Sequence, residues 1–199
     1  GNLIRVDAPG FALSGLTLER SGRHLIQVAG ESNADDFFMS HCILRDAFEQ
    51  MIKVSVDTSR AHVTADRGVV EDCLFEYTAG IGPQFYIGGI DAHGAKQWIV
   101  RKNLFRNIAS PSKAVAEFAI HFWADSADNL VEGNFIVDCD RGIGFGLDGK
   151  QNHRGIIRNN IVFHTSNGHP FADVGIALLE SAGTTVHNNT ILLEHQYPW

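Results

Sequence analysis

Five side chains in the middle of this chain carry chemistry: Lys53, Asp91, His93, His121 and Trp123. A carboxylate, two imidazoles and an amine are the groups that move protons in catalysis. An indole offers an apolar face against which a sugar ring can lie. Arg141 adds a guanidinium able to grip a carboxylate through two hydrogen bonds. Gly144 and Gly146 follow closely and would let a ligand approach the backbone. Spread over half the sequence, these residues form one site only if the fold stacks distant segments in register.

A repeat supplies that register. One phrase recurs: two apolar residues, a polar residue, a turn residue or two, then two more apolar residues. It reads Val69-Val70-Glu71-Asp72-Cys73-Leu74-Phe75, then Ile99-Val100-Arg101-Lys102-Asn103-Leu104-Phe105, then Leu130-Val131-Glu132-Gly133-Asn134-Phe135-Ile136. It continues as Ile156-Ile157-Arg158-Asn159-Asn160-Ile161-Val162 and Thr185-Val186-His187-Asn188-Asn189-Thr190-Ile191, with weaker copies at Phe38–Leu44 and Phe11–Thr17. The fifth place then runs Gly15, Cys42, Cys73, Asn103, Asn134, Asn160, Asn189. A second register keeps step, placing Ile26, Ile52, Ile90, Ile120, Ile143 and Ile176 at equivalent positions. Units of about 26 to 31 residues without a helical period cannot bury their own apolar side chains and must stack. The expectation is an all-β chain, a right-handed parallel β-helix (solenoid) of six to seven coils with an internal Asn ladder. Residues 1–199 then form one domain, or a piece of a longer solenoid.

Alternation along strands assigns faces. With the recurring Ile inward, one outward column reads Gln27, Lys53, Asp91, His121, Gly144, Ala177. The next reads Ala29, Ser55, His93, Trp123, Gly146, Leu179. The five chemical residues thereby converge beside a bare glycine strip. The inserts at 78–86, 109–117 and 148–153 are expected to rise as walls around them. Elsewhere Glu71, Arg101, Glu132 and Arg158 make a structural charge column. Phe75, Phe105, Phe135 and Phe145 are expected to stack inside, and Cys42 and Cys73 to lie one rung apart as buried thiols.

Composition removes other classes. A net charge of −7 without a basic run excludes nucleic acid as the partner, and no apolar stretch spans a bilayer. Any acidic ligand needs a local cationic pocket. Three cysteines make neither a disulfide framework nor a metal spacing. No cofactor is expected. Asp91, His93 and His121 contain donors suited to a metal without a recognised ligand spacing, and calcium is left open. No signal peptide is visible. Strand-like sequence at 2–6 and 191–194 leaves open edges, which predicts end-to-end self-association of an uncapped solenoid.

The Asn-Asn-x-Ile/Val phrases, the coil length and the Asn column resemble right-handed parallel β-helix proteins of the pectate-lyase-like superfamily. Gly89-Ile90-Asp91-Ala92-His93 and Asp140-Arg141-Gly142-Ile143-Gly144-Phe145-Gly146-Leu147 look like its bacterial members. The paired-Asp and Gly-His-Gly signatures of the polygalacturonase branch are absent. The resemblance implies an extracellular or periplasmic protein whose partner is a polysaccharide or oligosaccharide. With the outward cluster, it suggests a polysaccharide lyase acting on a uronic-acid-containing glycan. Arg141 or Lys53 would neutralise the carboxylate, Lys53 or His121 would abstract the proton, and His93 would donate one. Asp91, Trp123, Gly144 and Gly146 would bind substrate. A non-catalytic glycan-binding, adhesin or structural module is the alternative from another class. A hydrolase or epimerase on the same scaffold is the nearest enzymatic alternative; a hydrolase would need a second carboxylate, for which Glu31 or Glu180 could approach Asp91.

Overall fold

The computed structural model describes residues 1–60, 62–165 and 168–194. Three parallel sheets of seven strands each wind around one core. The first sheet runs through Ile4–Val6, Ile26–Ala29, Ile52–Ser55, Ile90–His93, Phe118–Trp123, Arg141–Phe145 and Val174–Leu178. The second begins at Ala12–Ser14 and ends at Ser181–His187, and the third begins at Thr17–Glu19 and ends at Thr190–Leu193. Each coil contributes one strand to each sheet, so every chain neighbour in a sheet is a full turn away in sequence. Such a coil has no interior of its own, and burial comes only from the rungs above and below.

The Ile register holds across the first sheet. Ile4 pairs with Ile26, Ile26 with Ile52, Ile52 with Ile90, Ile90 with Ile120, Ile120 with Ile143, and Ile143 with Ile176. Coils of unequal length stay in register because extra residues leave the solenoid as loops at its corners, where backbone bonding does not constrain them.

The inward amides bond along the solenoid axis. Asn103 Nδ2 donates to Asn134 Oδ1 at 3.0 Å, Asn134 Nδ2 to Asn160 Oδ1 at 3.0 Å, and Asn160 Nδ2 to Asn189 Oδ1 at 2.9 Å. Each oxygen also accepts the backbone N–H of the rung before it, from Cys73 through Asn160. The amides thus satisfy backbone groups that the sharp bend removes from the sheets. Cys42, Cys73 and Cys139 are free thiols, and burial pushes the Cys73 thiol up to about 12.

Two expectations are corrected. Gly15 does not occupy the fifth place: Ser14 pairs with Ser40 and Thr17 with Ile43, which puts Leu16 opposite Cys42. Gly15 occupies the fourth place, whose residues all have left-handed backbone: φ is 69° at Gly15, 53° at His41, 53° at Asp72, 55° at Lys102, 64° at Gly133, 57° at Asn159 and 54° at Asn188. The bend therefore turns one residue before the amide column, not at it. Phe135 faces outward at 42% exposure, level with Leu104 and Ile161, and Ile136 takes the core place. Phe75, Phe105 and Phe145 are fully buried, with Phe75 stacked on Phe105 at 4.4 Å between centroids.

The charge column pairs as its spacing implies, with Arg101 on Glu71 at 2.6 Å and Arg158 on Glu132 at 2.9 Å. The third sheet carries a second column the repeat phrase does not advertise: Arg45 bridges Glu19 and Glu76, and Arg106 also pairs with Glu76. These pairs hold exterior faces and leave the first sheet as the one bearing the His, Lys and Trp cluster.

Candidate functional site

Parallel pairing sets Lys53 beside Asp91, Asp91 beside His121, and His93 beside Trp123. All five residues project from the same face; Lys53, Asp91, His93 and Trp123 form one hydrogen-bonded cluster, against which His121 packs through the Trp123 ring. The Lys53 ammonium donates to Asp91 Oδ2 and, at 2.7 Å, to His93 Nε2. Trp123 Nε1 donates to the other carboxylate oxygen, Asp91 Oδ1, at 2.6 Å. The Trp123 ring holds both imidazoles: His93 meets it edge-on at 4.2 Å and His121 stacks on it at 5.6 Å. His121 Nε2 lies 2.9 Å from the Gly146 carbonyl. A carbonyl only accepts, so the hydrogen sits on Nε2 and the lone pair of a neutral ring is on Nδ1. Nδ1 lies 3.8 Å from Asp91 Oδ1.

The cluster is less open than an exterior sheet position implies. Asp91 is 4% exposed and His121 2%, whereas the side chains of Lys53 and His93 retain 12% and 20%. Reagents from solvent meet Lys53, His93 and Trp123 first, with Asp91 and His121 beneath them. Burial alone would raise the Asp91 carboxyl. Hydrogen bonding within the cluster and the Lys53 ammonium outweigh it and hold the group well below the usual carboxylate range.

Burial depresses the His121 imidazolium below its ordinary value; His93 and Lys53 act in the same sense, against Asp91 and the Gly146 carbonyl. The folded ring stays neutral where the unfolded ring, with an ordinary value of about 6.5, takes a proton. The unfolded state then binds more protons, and stability rises with pH through that window. This contribution is complete above about pH 6.5 and is lost as pH falls toward the depressed folded value. His24, shifted downward by burial, adds to the same slope. Urea midpoints are expected to fall between about pH 7 and about pH 5, with a shallower fall in His121→Gln. Equal slopes in the two proteins would show that His121 does not carry the dependence.

The glycines are not a bare strip. The space a Gly144 side chain would fill holds the Phe118 ring, whose edge lies 2.8 Å from the ideal Cβ position. At Gly146, with φ of +81°, a Cβ would fall 1.6 Å from the Leu179 carbonyl oxygen. Both are glycine because protein packs against them. Arg141 pairs with Asp173 at 2.8 Å and sits 5.4 Å above the Phe118 ring.

Three further residues border the cluster. Gln50, Gly88, Phe118 and Arg141 lie level across four rungs, two places before the recurring Ile. Strict alternation assigns that column to the core, but Ala119 and Ile120 are both core residues, so alternation breaks there and Phe118 reaches the outer face. Gln50 and Glu117 flank Gly88, their side-chain carbons 3.3 and 3.4 Å from its ideal Cβ position. Tyr86 stands close enough to Gln50, Asp91 and Glu117 that they act on its phenol, which burial and Asp91 push upward. Burial first, and then Asp91, raise the Glu117 carboxyl, while Arg141 and Lys53 oppose them. Glu117 is therefore the second carboxyl beside Asp91. Glu31 is held by Ser55 and Arg5, and Glu180 by the Gly149 N–H. Continuing the Ile register backwards would have exposed this column; the insert that brings Tyr86 and the loop that brings Glu117 carry no repeat signal.

Among the described residues no three His, Cys, Asp or Glu side chains converge as a metal ion requires. In the Asp91, His93 and His121 set, Lys53 and the Gly146 carbonyl take the Nε2 positions of the two rings. Among the described residues no helix is long and apolar enough to cross a membrane.

Among curated proteins, none matches this chain significantly. A solved structure described as an alginate lyase from Paenibacillus sp. str. FPU-7 superimposes with a TM-score of 0.57 at 13% identity, covering 94% of this chain and 72% of that one. At that identity the likeness is one of fold. The family model described as the right handed beta helix region matches residues 4–192. The chain belongs to the right-handed β-helix family.

Proposed function

We propose that this protein is a secreted carbohydrate-active enzyme that cleaves a uronic-acid-containing polysaccharide by β-elimination on its first sheet. The observation that carries the reading is the Lys53–Asp91–His93 cluster, a cation and an imidazole held together at the solvent edge of an otherwise buried network. The alginate lyase that shares the fold adds weight to a polysaccharide substrate.

Elimination needs a cation at the carboxylate, a base for the adjacent C–H, and an acid for the departing oxygen. Lys53, ion-paired with Asp91, is the cation that neutralises the sugar carboxylate and is not the base. When Lys53 turns to the substrate, His93 Nε2 loses its donor and presents a lone pair. His93 takes the proton next to the carboxylate, the C–H electrons form the C=C bond, and the C–O bond opposite breaks. Glu117, whose carboxyl is raised, gives its proton to the leaving oxygen. Arg141 extends the cationic surface toward the next carboxylate, and Trp123 carries the ring. His121 is a positioning residue: it stacks against Trp123 and ties that strand to Gly146.

A panel of acidic polysaccharides followed by ultraviolet absorbance of the unsaturated product tests the proposal. An absorbance rise with at least one uronate polymer, absent in His93→Ala, is expected. Cleavage into saturated ends would show a hydrolase. Burial of Asp91 and His121 favours a second reading, a glycan-binding module without catalysis, which predicts binding with no product on the whole panel.

A further inference from the structure

The first-sheet strands that end in His93 and Trp123 run directly into Gly94 and Ala124, and both line a cavity of about 380 Å³. That volume lies in the range of small-ligand sites and is lined here by polar side chains. Lys96 and Lys150 stand on its wall with Thr58, Thr64, Gln151 and Asp125.

Charge distinguishes this cavity from the rest of the surface. Among the described residues every arginine but Arg20 is ion-paired, and Lys53 is paired with Asp91. The lysines without an ion pair there are Lys96, Lys102, Lys113 and Lys150, and two of these four share one cavity. In a chain of net charge −7, two lysines without an ion pair on the wall of one cavity make a local site for an anion. Asp125 is the opposing charge on the wall, with its side chain 78% exposed and 3.9 Å from His153 Nε2.

The lysines are held by backbone, not by loose loops. The Lys96 N–H donates to Asp66 Oδ1 at 3.0 Å, and the Lys96 carbonyl accepts from Arg67 N at 2.8 Å. Lys150 closes a tight turn through reciprocal bonds with Leu147 of 2.8 and 2.6 Å. Gly149, with φ of +70°, makes that turn and anchors it by donating to Glu180 Oε1 at 3.0 Å. Gly94, with φ of +61°, keeps the floor low: a Cβ there would sit 3.3 Å from Val56 and 3.4 Å from Thr64.

We infer that this cavity is a binding subsite for a carboxylate-bearing sugar unit, with Lys96 and Lys150 on its carboxylate and Thr58, Thr64 and Gln151 on its hydroxyls. It rests on the proposed function for the identity of the polymer. It adds to that reading a recognition site at the opposite end of the strands from Glu117, so a polymer lying along His93 and Trp123 places its next acidic unit here.

The test is calorimetric binding of a uronic acid tetrasaccharide to the full chain carrying His93→Ala, against the carboxyl-reduced, neutral form of the same tetrasaccharide. Adding Lys96→Ala and Lys150→Ala together should weaken the acidic ligand at least tenfold, leave the neutral one within twofold, and flatten the salt dependence. Unchanged affinity for the acidic ligand, an equal loss for the neutral one, or no binding to the starting protein overturns the subsite. Turnover is read separately on proteins retaining His93. Lysine-dependent binding without unsaturated product leaves the subsite standing and removes the lyase reading. Product formation with lysine-independent binding does the reverse.

Discussion

Lys53→Ala is expected to lower kcat/KM on a cleavable uronate polymer by about 10²- to 10⁴-fold, the range for losing one positioned group of a proton-transfer site. The loss has two parts. The substrate carboxylate meets no cation, so the proton beside it stays weakly acidic. Asp91, 4% exposed, also loses the ammonium that Lys53 donates to it, leaving a buried carboxylate with Trp123 as its remaining strong donor. Lys53→Arg separates the two roles open to this residue. A guanidinium is always charged and cannot act as a base near neutral pH. As the neutralising cation, Lys53 is replaceable in part, and Lys53→Arg should recover at least tenfold over Lys53→Ala. Equal inactivity of the two variants, both folded by circular dichroism, would make Lys53 the base and overturn the assignment of His93. The corresponding check on His93→Ala is partial rescue by added imidazole, measured by the same absorbance.

The second large effect is on stability. Asn134 sits at the centre of the amide column and makes four hydrogen bonds through its side chain. Asn134→Ala removes the acceptor of the Asn103 N–H and the donor to the Val100 carbonyl, both inside the solenoid. A buried polar group left without a partner costs about 1–3 kcal/mol, so a loss of about 3–5 kcal/mol is expected from urea unfolding. The same change at Asn189, which lies in the last coil and is only partly buried, should cost less, about 1 kcal/mol. Similar losses at the two positions would mean that the column does not depend on burial for its strength.

Much of this architecture is legible in the residues, for reasons that also explain the misses. The Ile register reads correctly because an inward β-branched residue is required on every rung, and one column of identical residues resists a one-place slip. The outward cluster follows from it by alternation. At the first coil the reading slips because Phe11 mimics Phe38, whereas Phe11 precedes the strand and is 38% exposed. Phe135 misleads in the same way, since hydrophobicity does not name a face when an exterior column is itself apolar. Gly144 and Gly146 show the opposite limit. Sequence tells that no side chain is present, but not that Phe118 and the Leu179 carbonyl occupy the space. Glu117, Tyr86 and Gln50 stay hidden because they sit where alternation fails or where a loop returns over the sheet, and neither event leaves a periodic trace.

The central claim is that acidic sugar binds on the first sheet over Lys53, His93 and Trp123. A crystal structure of His93→Ala soaked with a uronic acid tetrasaccharide tests it most directly. The account predicts a sugar carboxylate within hydrogen-bond distance of Lys53 Nζ, a ring on the exposed face of Trp123, and the Glu117 carboxyl facing a glycosidic oxygen. Sugar bound on the second or third sheet, with Lys53 still paired to Asp91 and untouched, would contradict it.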